Sequence, residues 1–246
     1  MSAIQTYLSN IHEILQKVEE TQGSVMEAAA QAMAQATLTG HNIFAFGCSH
    51  AGLLAFELYY RTGGMATINP VRAPGLYLDV DPAPFTSQIE RLPEYGRLIC
   101  DQKPIGLGDV VIVHSVSGRN TVTVDFALRC KEKQATVIAL TSVATGREIP
   151  SRHPSGKLLM DVADIVIDNC GCVGDGSVTI AGVPEKVGPT STAVGAAILN
   201  AVMTRAVELI TESGGTAPIF ISANVPGGDA HNKTMLETYK DHIFYI

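Results

Sequence analysis

The chain reads as an α/β protein with a parallel sheet, preceded by N-terminal helices. Two observations lead there. Short apolar, often β-branched runs alternate with amphipathic stretches from about residue 40 to residue 213, the pattern of crossover units in a parallel sheet. Three hydroxyl-rich segments also open helices: Gly47-Cys48-Ser49-His50-Ala51-Gly52, His114-Ser115-Val116-Ser117-Gly118-Arg119-Asn120 and Gly188-Pro189-Thr190-Ser191-Thr192. The first two stand directly behind strands. In an open parallel sheet, ligands bind beyond the carboxyl ends of the strands where the order reverses. If the order is 2-1-3-4-5, the loops after the first and third strands meet at that point.

Taken in order, Ile4, Leu8, Ile11, Leu15 and Val18 recur at three- and four-residue steps and predict an amphipathic helix over 2–20. Gly23 breaks it, and Ser24-Val25-Met26-Glu27 is a capping box that starts an alanine-rich second helix ending near Gly40. The run 42–46 is the first strand. A helix from Ser49 to Arg61 follows and stops at Gly63-Gly64, before a strand over 66–69. Between Arg72 and Gly108 five prolines punctuate a long connection, within which Ser87-Gln88-Ile89-Glu90 marks a further helix start. A connection of this length is expected to be functional, as a lid or a wall of the site. Asp109 to Val113 is the third strand, 135–140 the fourth and 163–168 the fifth, with a helix over 193–209 behind the last hydroxyl cluster.

Composition narrows the function classes. With 246 residues, 46% of them hydrophobic, the chain can bury one full α/β core. A net charge of −7 without a dense Lys/Arg run argues against a nucleic-acid surface. No run reads as a bilayer span, and the first residues lack the basic and apolar regions of a signal peptide. Five scattered cysteines fit reduced thiols in a cytoplasm. Cys170 and Cys172, without a second pair, read as structural rather than zinc-binding.

The three loops carry the chemistry. Side-chain hydroxyls, a glycine that admits close backbone approach and the free N–H groups of a helix start are the parts that hold a phosphate without a metal. One such loop alone reads as a serine cap with a turn glycine. Three in one chain point to Ser49, Ser115, Ser117, Gly118, Thr190, Ser191 and Thr192 as phosphate ligands.

At these residues the chain resembles the sugar isomerase (SIS) domain family of phosphosugar isomerases and phosphosugar-binding proteins. Gly47-Cys48-Ser49-His50 is similar to that family's first-strand loop, Ser115-Val116-Ser117-Gly118 to its Ser-x-Ser-Gly loop, and Pro189-Thr190-Ser191-Thr192 to its late hydroxyl cluster. The segment 163–168 also looks like the family's fifth strand. The resemblance covers about residues 40–213. Ser49-His50 and Glu57 look most like phosphoheptose isomerases, although no histidine follows Thr192 in the helix where those enzymes carry one.

The resemblance implies one SIS domain over 1–246: a helical segment over 1–39, a core over 40–213 that is a three-layer αβα sandwich with a five-stranded parallel sheet of order 2-1-3-4-5, and a C-terminal segment over 214–246. It further implies a phosphorylated sugar as ligand, no cofactor, and a homodimer or homotetramer assembled through the N-terminal helices. Aldose–ketose isomerisation needs a base near C1 and C2 and an acid at the oxygen. Glu57, two turns into its helix between Phe56 and Leu58, is the expected base, its carboxyl raised toward neutrality by desolvation. His50 and His231 are the expected acids, the second from a glycine-rich stretch ahead of the last helix. Asp175 reads as a turn aspartate. A phosphosugar sensor and a sugar-ether lyase remain as alternatives to an isomerase.

Overall fold

The computed structural model describes residues 1–246. Its first element, α1 (Ala3–Leu38), is one continuous helix of 36 residues, not two helices broken at Gly23. Ser2 caps it, its hydroxyl accepting from the Gln5 N–H while the Gln5 side chain accepts from the Ser2 N–H. The helix runs through Gly23 because the apolar stripe stays in phase on both sides. Leu15 and Val18 before the glycine, and Met26, Ala29, Ala30 and Met33 after it, join the same core. A glycine in a helix interior costs about 1 kcal/mol, which this packing offsets.

The sheet has the expected order. β1 (Ile43–Gly47), β2 (Ile68–Pro70), β3 (Val110–His114), β4 (Thr136–Thr141) and β5 (Ile165–Asp168) run parallel as β2-β1-β3-β4-β5. Alternate residues feed two cores, as a parallel sheet buried on both faces requires. Ile43, Ala45, Val110, Ile112, Ile138 and Leu140 face one layer; Phe44, Phe46, Val111, Val113, Val137 and Ala139 face the other. α1, α2 (Leu53–Leu58) and α8 (Ser191–Glu212) cover the first face. The segment holding α3 (Pro84–Ile89) and α4 (Tyr95–Asp101) covers the second, with α5 (Thr121–Glu132) and α7 (Leu159–Val162). α6 (Val143–Glu148) follows β4.

Local chemistry moved several boundaries. The helix expected over 49–61 is a 3₁₀ turn over Ser49–Gly52 and then the six-residue α2. Ser87 does not cap a helix; Pro84 opens α3, a position where its missing N–H costs nothing, and Glu90 ends it. An antiparallel pair that the sequence pattern does not announce, β6 (Gly176–Val178) and β7 (Val187–Pro189), precedes α8. α8 has the length and apolar composition of a bilayer span, but its apolar side lies in the core against α1 and α2. The last residues, including α9 (Gly228–Thr238), line the β2 side of the sheet. Phe244 stacks on Phe44, and its N–H donates to Asn69 Oδ1 at 2.7 Å.

Candidate functional site

Because β1 and β3 are paired with Gly47 opposite His114, the loops leaving them emerge side by side at the carboxyl edge of the sheet. This register brings the first two hydroxyl clusters together. Ser49 takes a left-handed φ of 52°, a conformation that a serine adopts at a cost of order 1 kcal/mol and that is concentrated at functional sites. In the second loop the Gly118 N–H donates to Ser115 Oγ at 3.2 Å. Gly118 has a φ of +60°, and a β-carbon there would stand 3.2 Å from Leu159 Cβ, so glycine answers both the dihedral and the close approach. Ser115 and Ser117 are half-buried on the loop that leads to the N-terminus of α5, whose capping residue Asn120 makes no side-chain bond to the helix.

The third cluster also reaches this edge but is occupied. Asp175, left-handed at φ 63°, lies across the start of α8. Its Oδ1 accepts from the N–H groups of Thr190 (3.0 Å) and Ser191 (2.8 Å), and its Oδ2 accepts from Ser191 Oγ (2.7 Å). A carboxylate thus holds the helix end that the hydroxyl pattern assigns to phosphate. Thr190 and Ser191 are buried, while Thr192 is half-buried one residue into the helix.

A residue not singled out for the site ties the loops together. Glu90, at the end of α3, accepts from Ser49 Oγ through one oxygen and from Asn120 Nδ2 (2.5 Å) through the other, and its carbonyl accepts from the Val122 N–H (3.1 Å). Asn120 Oδ1 in turn accepts from Arg152 Nη1 at 2.8 Å. In the sequence Glu90 reads as the closing residue of a capping box, a pattern identical whether the glutamate serves its own helix or a distant loop. The long proline-rich connection was the available signal. That connection lines a cavity of about 690 Å³ through Arg72, Tyr77 and Asp79, facing Ser49 and Phe56.

The expected acid and base candidates are placed less uniformly. Glu57 is half-buried on α2, paired with Arg61 one turn on and accepting from Asn200 Nδ2 at 3.1 Å. Its partners are a cation and an amide rather than the dry apolar wall that the neighbouring residues suggested. It borders a second cavity of about 470 Å³ with Phe56, Tyr59 and Tyr60, and Phe56 lines both cavities. His50 is exposed beside Ser49. His231 lies in α9, where its Nε2–H donates to the Ile219 carbonyl at 2.9 Å within the C-terminal segment. His114, which the sequence alone does not mark, is buried at the base of the site. Its Nδ1–H donates to the Ala51 carbonyl at 3.0 Å, and Nε2 has no partner.

Comparison with known proteins agrees with this architecture. The chain is 42% identical over 246 residues to a UPF0309 protein of Shouchella clausii, covering all of both chains. Its fold is similar to that of phosphoheptose isomerase from Neisseria gonorrhoeae, with a TM-score of 0.54 and 14% identity over 85% of this chain and 97% of that one. The Vibrio vulnificus NanR protein complexed with ManNAc-6P is similar at a TM-score of 0.50 and 13% identity, over 98% of this chain and 69% of that one. The SIS domain model matches residues 6–142, more than half the chain and the part that carries β1, β3 and their two hydroxyl loops, and the chain belongs to that family.

Proposed function

We propose that the protein binds a phosphorylated sugar at the carboxyl edge of its sheet and isomerises it between aldose and ketose, as a cytoplasmic homo-oligomer. The observation that carries the binding half is the β1–β3 register, which sets Ser49 beside the Ser115–Ser117 loop at the start of α5. There hydroxyls and helix-start amides surround the position of an anion. Family membership and the sugar-phosphate proteins among its structural relatives support that choice of anion. The five free cysteines support the compartment. With the phosphate held by Ser115 and Ser117, and by Ser49 and the Gly118 amide once they exchange Glu90 and Ser115 Oγ for the anion, the sugar extends along α2 past Phe56 toward Glu57.

In this reading the Glu57 carboxylate exchanges Arg61 for substrate and takes the proton from the carbon beside the carbonyl. An enediolate forms, and the same carboxyl returns the proton to the neighbouring carbon, moving the carbonyl by one position. His50, adjoining Ser49, serves the oxygen. His231 is the weaker acid candidate because its ring nitrogen is bonded to the Ile219 carbonyl.

One observation favours a second reading, a phosphosugar sensor: Glu57, His231 and the Thr190–Ser191 pair are each already engaged within the chain. Solvent deuterium incorporation at C1 and C2 of a bound sugar phosphate separates the two. The isomerase incorporates deuterium, and Glu57→Gln abolishes this while leaving affinity within a few fold, because phosphate contacts dominate ground-state binding. Exchange that survives in Glu57→Gln removes Glu57 from the reaction. A wild type that binds but never exchanges is a sensor.

A further inference from the structure

Nine arginines occur in the chain, and Arg61, Arg97, Arg129 and Arg205 each hold a carboxylate. Three of the others converge beside the second hydroxyl loop and hold none. Arg119 lies within that loop, and its carbonyl accepts from the Arg152 N–H at 2.9 Å, pinning the two backbones together. Arg152 Nη1 donates to Asn120 Oδ1 at 2.8 Å, Asn120 Nδ2 donates to Glu90 at 2.5 Å, and Arg91 is the next residue along from Glu90. Glu90 pairs with none of them, since its two oxygens are taken by Ser49 and Asn120.

The cluster is electrostatically unfinished. Arg119 Nε is buried with no hydrogen-bond partner, a costly arrangement for a charged donor unless a ligand completes it. Burial lowers the Arg152 pKa, and the positive Arg119 and Arg91 lower it further, against the opposing pull of Glu90. In a chain of net charge −7, three guanidinium groups without a carboxylate bound among them leave a local positive field. Guanidinium forks match carboxylate and phosphate oxygens in pairs.

We propose that Arg91, Arg119 and Arg152 form a second anion subsite that receives a carboxylate or a second phosphate carried by the phosphorylated sugar bound at the adjoining hydroxyl loop. The subsite rests on the phosphosugar reading above and narrows the substrate class to doubly anionic sugars. Arg119 spans the two positions, while Arg91 and Arg152 belong to the second anion alone.

Calorimetric titration with matched pairs tests this: glucose 6-phosphate against 6-phosphogluconate, and fructose 6-phosphate against fructose 1,6-bisphosphate. The doubly anionic member of at least one pair is expected to bind about tenfold or more tightly, the scale of a charged hydrogen-bonded pair. A carboxylate and a second phosphate are distinguished by which pair shows the preference. Arg91→Gln with Arg152→Gln removes the preference. Arg91→Gln alone, at an exposed position, loses part of the preference and guards against misfolding of the double variant. Equal affinities within both pairs would overturn the subsite and leave the phosphosugar reading standing. A double variant that weakens all four sugars alike would also overturn it, assigning the arginines to the first phosphate. Absence of binding by any of the four to folded wild type would overturn the phosphosugar reading and the subsite with it.

Discussion

His114 ends β3 with its ring wedged beneath the first hydroxyl loop, and it ties the chemistry of one residue to the stability of the fold. Burial pushes its pKa down to about 4, outweighing the opposing effects of the Ala51 carbonyl and the Asp175 carboxylate. The imidazole is therefore neutral at pH 7, with Nδ1–H committed to Ala51. In the unfolded chain the same ring titrates near 6.5. Between these values the unfolded state binds more protons than the folded one, so stability falls as the pH drops from about 6.5 to about 4. The loss is on the order of 3 kcal/mol when complete. Urea unfolding between pH 7 and pH 4 checks this with His114→Asn, whose amide keeps a donor for Ala51 but does not titrate. The variant is expected to lose most of this pH slope. An unchanged slope would mean that His114 is protonated in the fold.

At the scale of elements, α4 lies on α5 through Gly96. A β-carbon there would meet the Val122 carbonyl and stand 2.6 Å from the Phe126 nitrogen, both backbone atoms that have nowhere to move. Gly96→Ala is expected to cost about 1–3 kcal/mol, read as a lower urea midpoint at unchanged m-value. A midpoint within error of wild type would show that the two helices separate freely. Elements whose apolar period spans a whole strand or helix were legible in the sequence: all five sheet strands and the α8 helix, while the strand order 2-1-3-4-5 came from the family resemblance. The misreadings share a cause. Gly23, the Ser24–Glu27 box and the Ser87–Glu90 box are local signals whose sense is set by distant partners, the shared α1 core in one case and Ser49 with Asn120 in the other. The loops at the carboxyl edge followed the same division. The neighbouring loops of Ser49 and of Ser115 to Gly118 were legible because a strand, a hydroxyl run and a helix start adjoin in sequence. Glu90 and Arg152 arrive from segments about 30 residues either side of Asn120 and leave no local trace.

For the whole molecule, the first turns of α1 leave part of their apolar stripe uncovered. Ile4 is 73% exposed and Leu8 61% exposed on the same stripe that buries Val18. Apolar side chains left in line on a helix of this length are expected to meet a second copy. Light scattering at micromolar concentration is expected to give a dimer or tetramer, and Ile4→Glu with Leu8→Glu to lower the mass; a monomeric wild type would refute this assembly.

Whether the carboxyl edge of the sheet holds the phosphate of a sugar, with Ser117 among its ligands, is decided by calorimetric titration. Pentose, hexose and heptose phosphates are titrated into wild type and into Ser117→Ala. At least one sugar phosphate is expected to bind wild type, and Ser117→Ala to bind it roughly ten- to a hundredfold more weakly, the loss of one hydrogen bond to a charged oxygen. Binding of equal strength in the two proteins would remove Ser117 from the phosphate, and no binding to either would remove the phosphate from this edge.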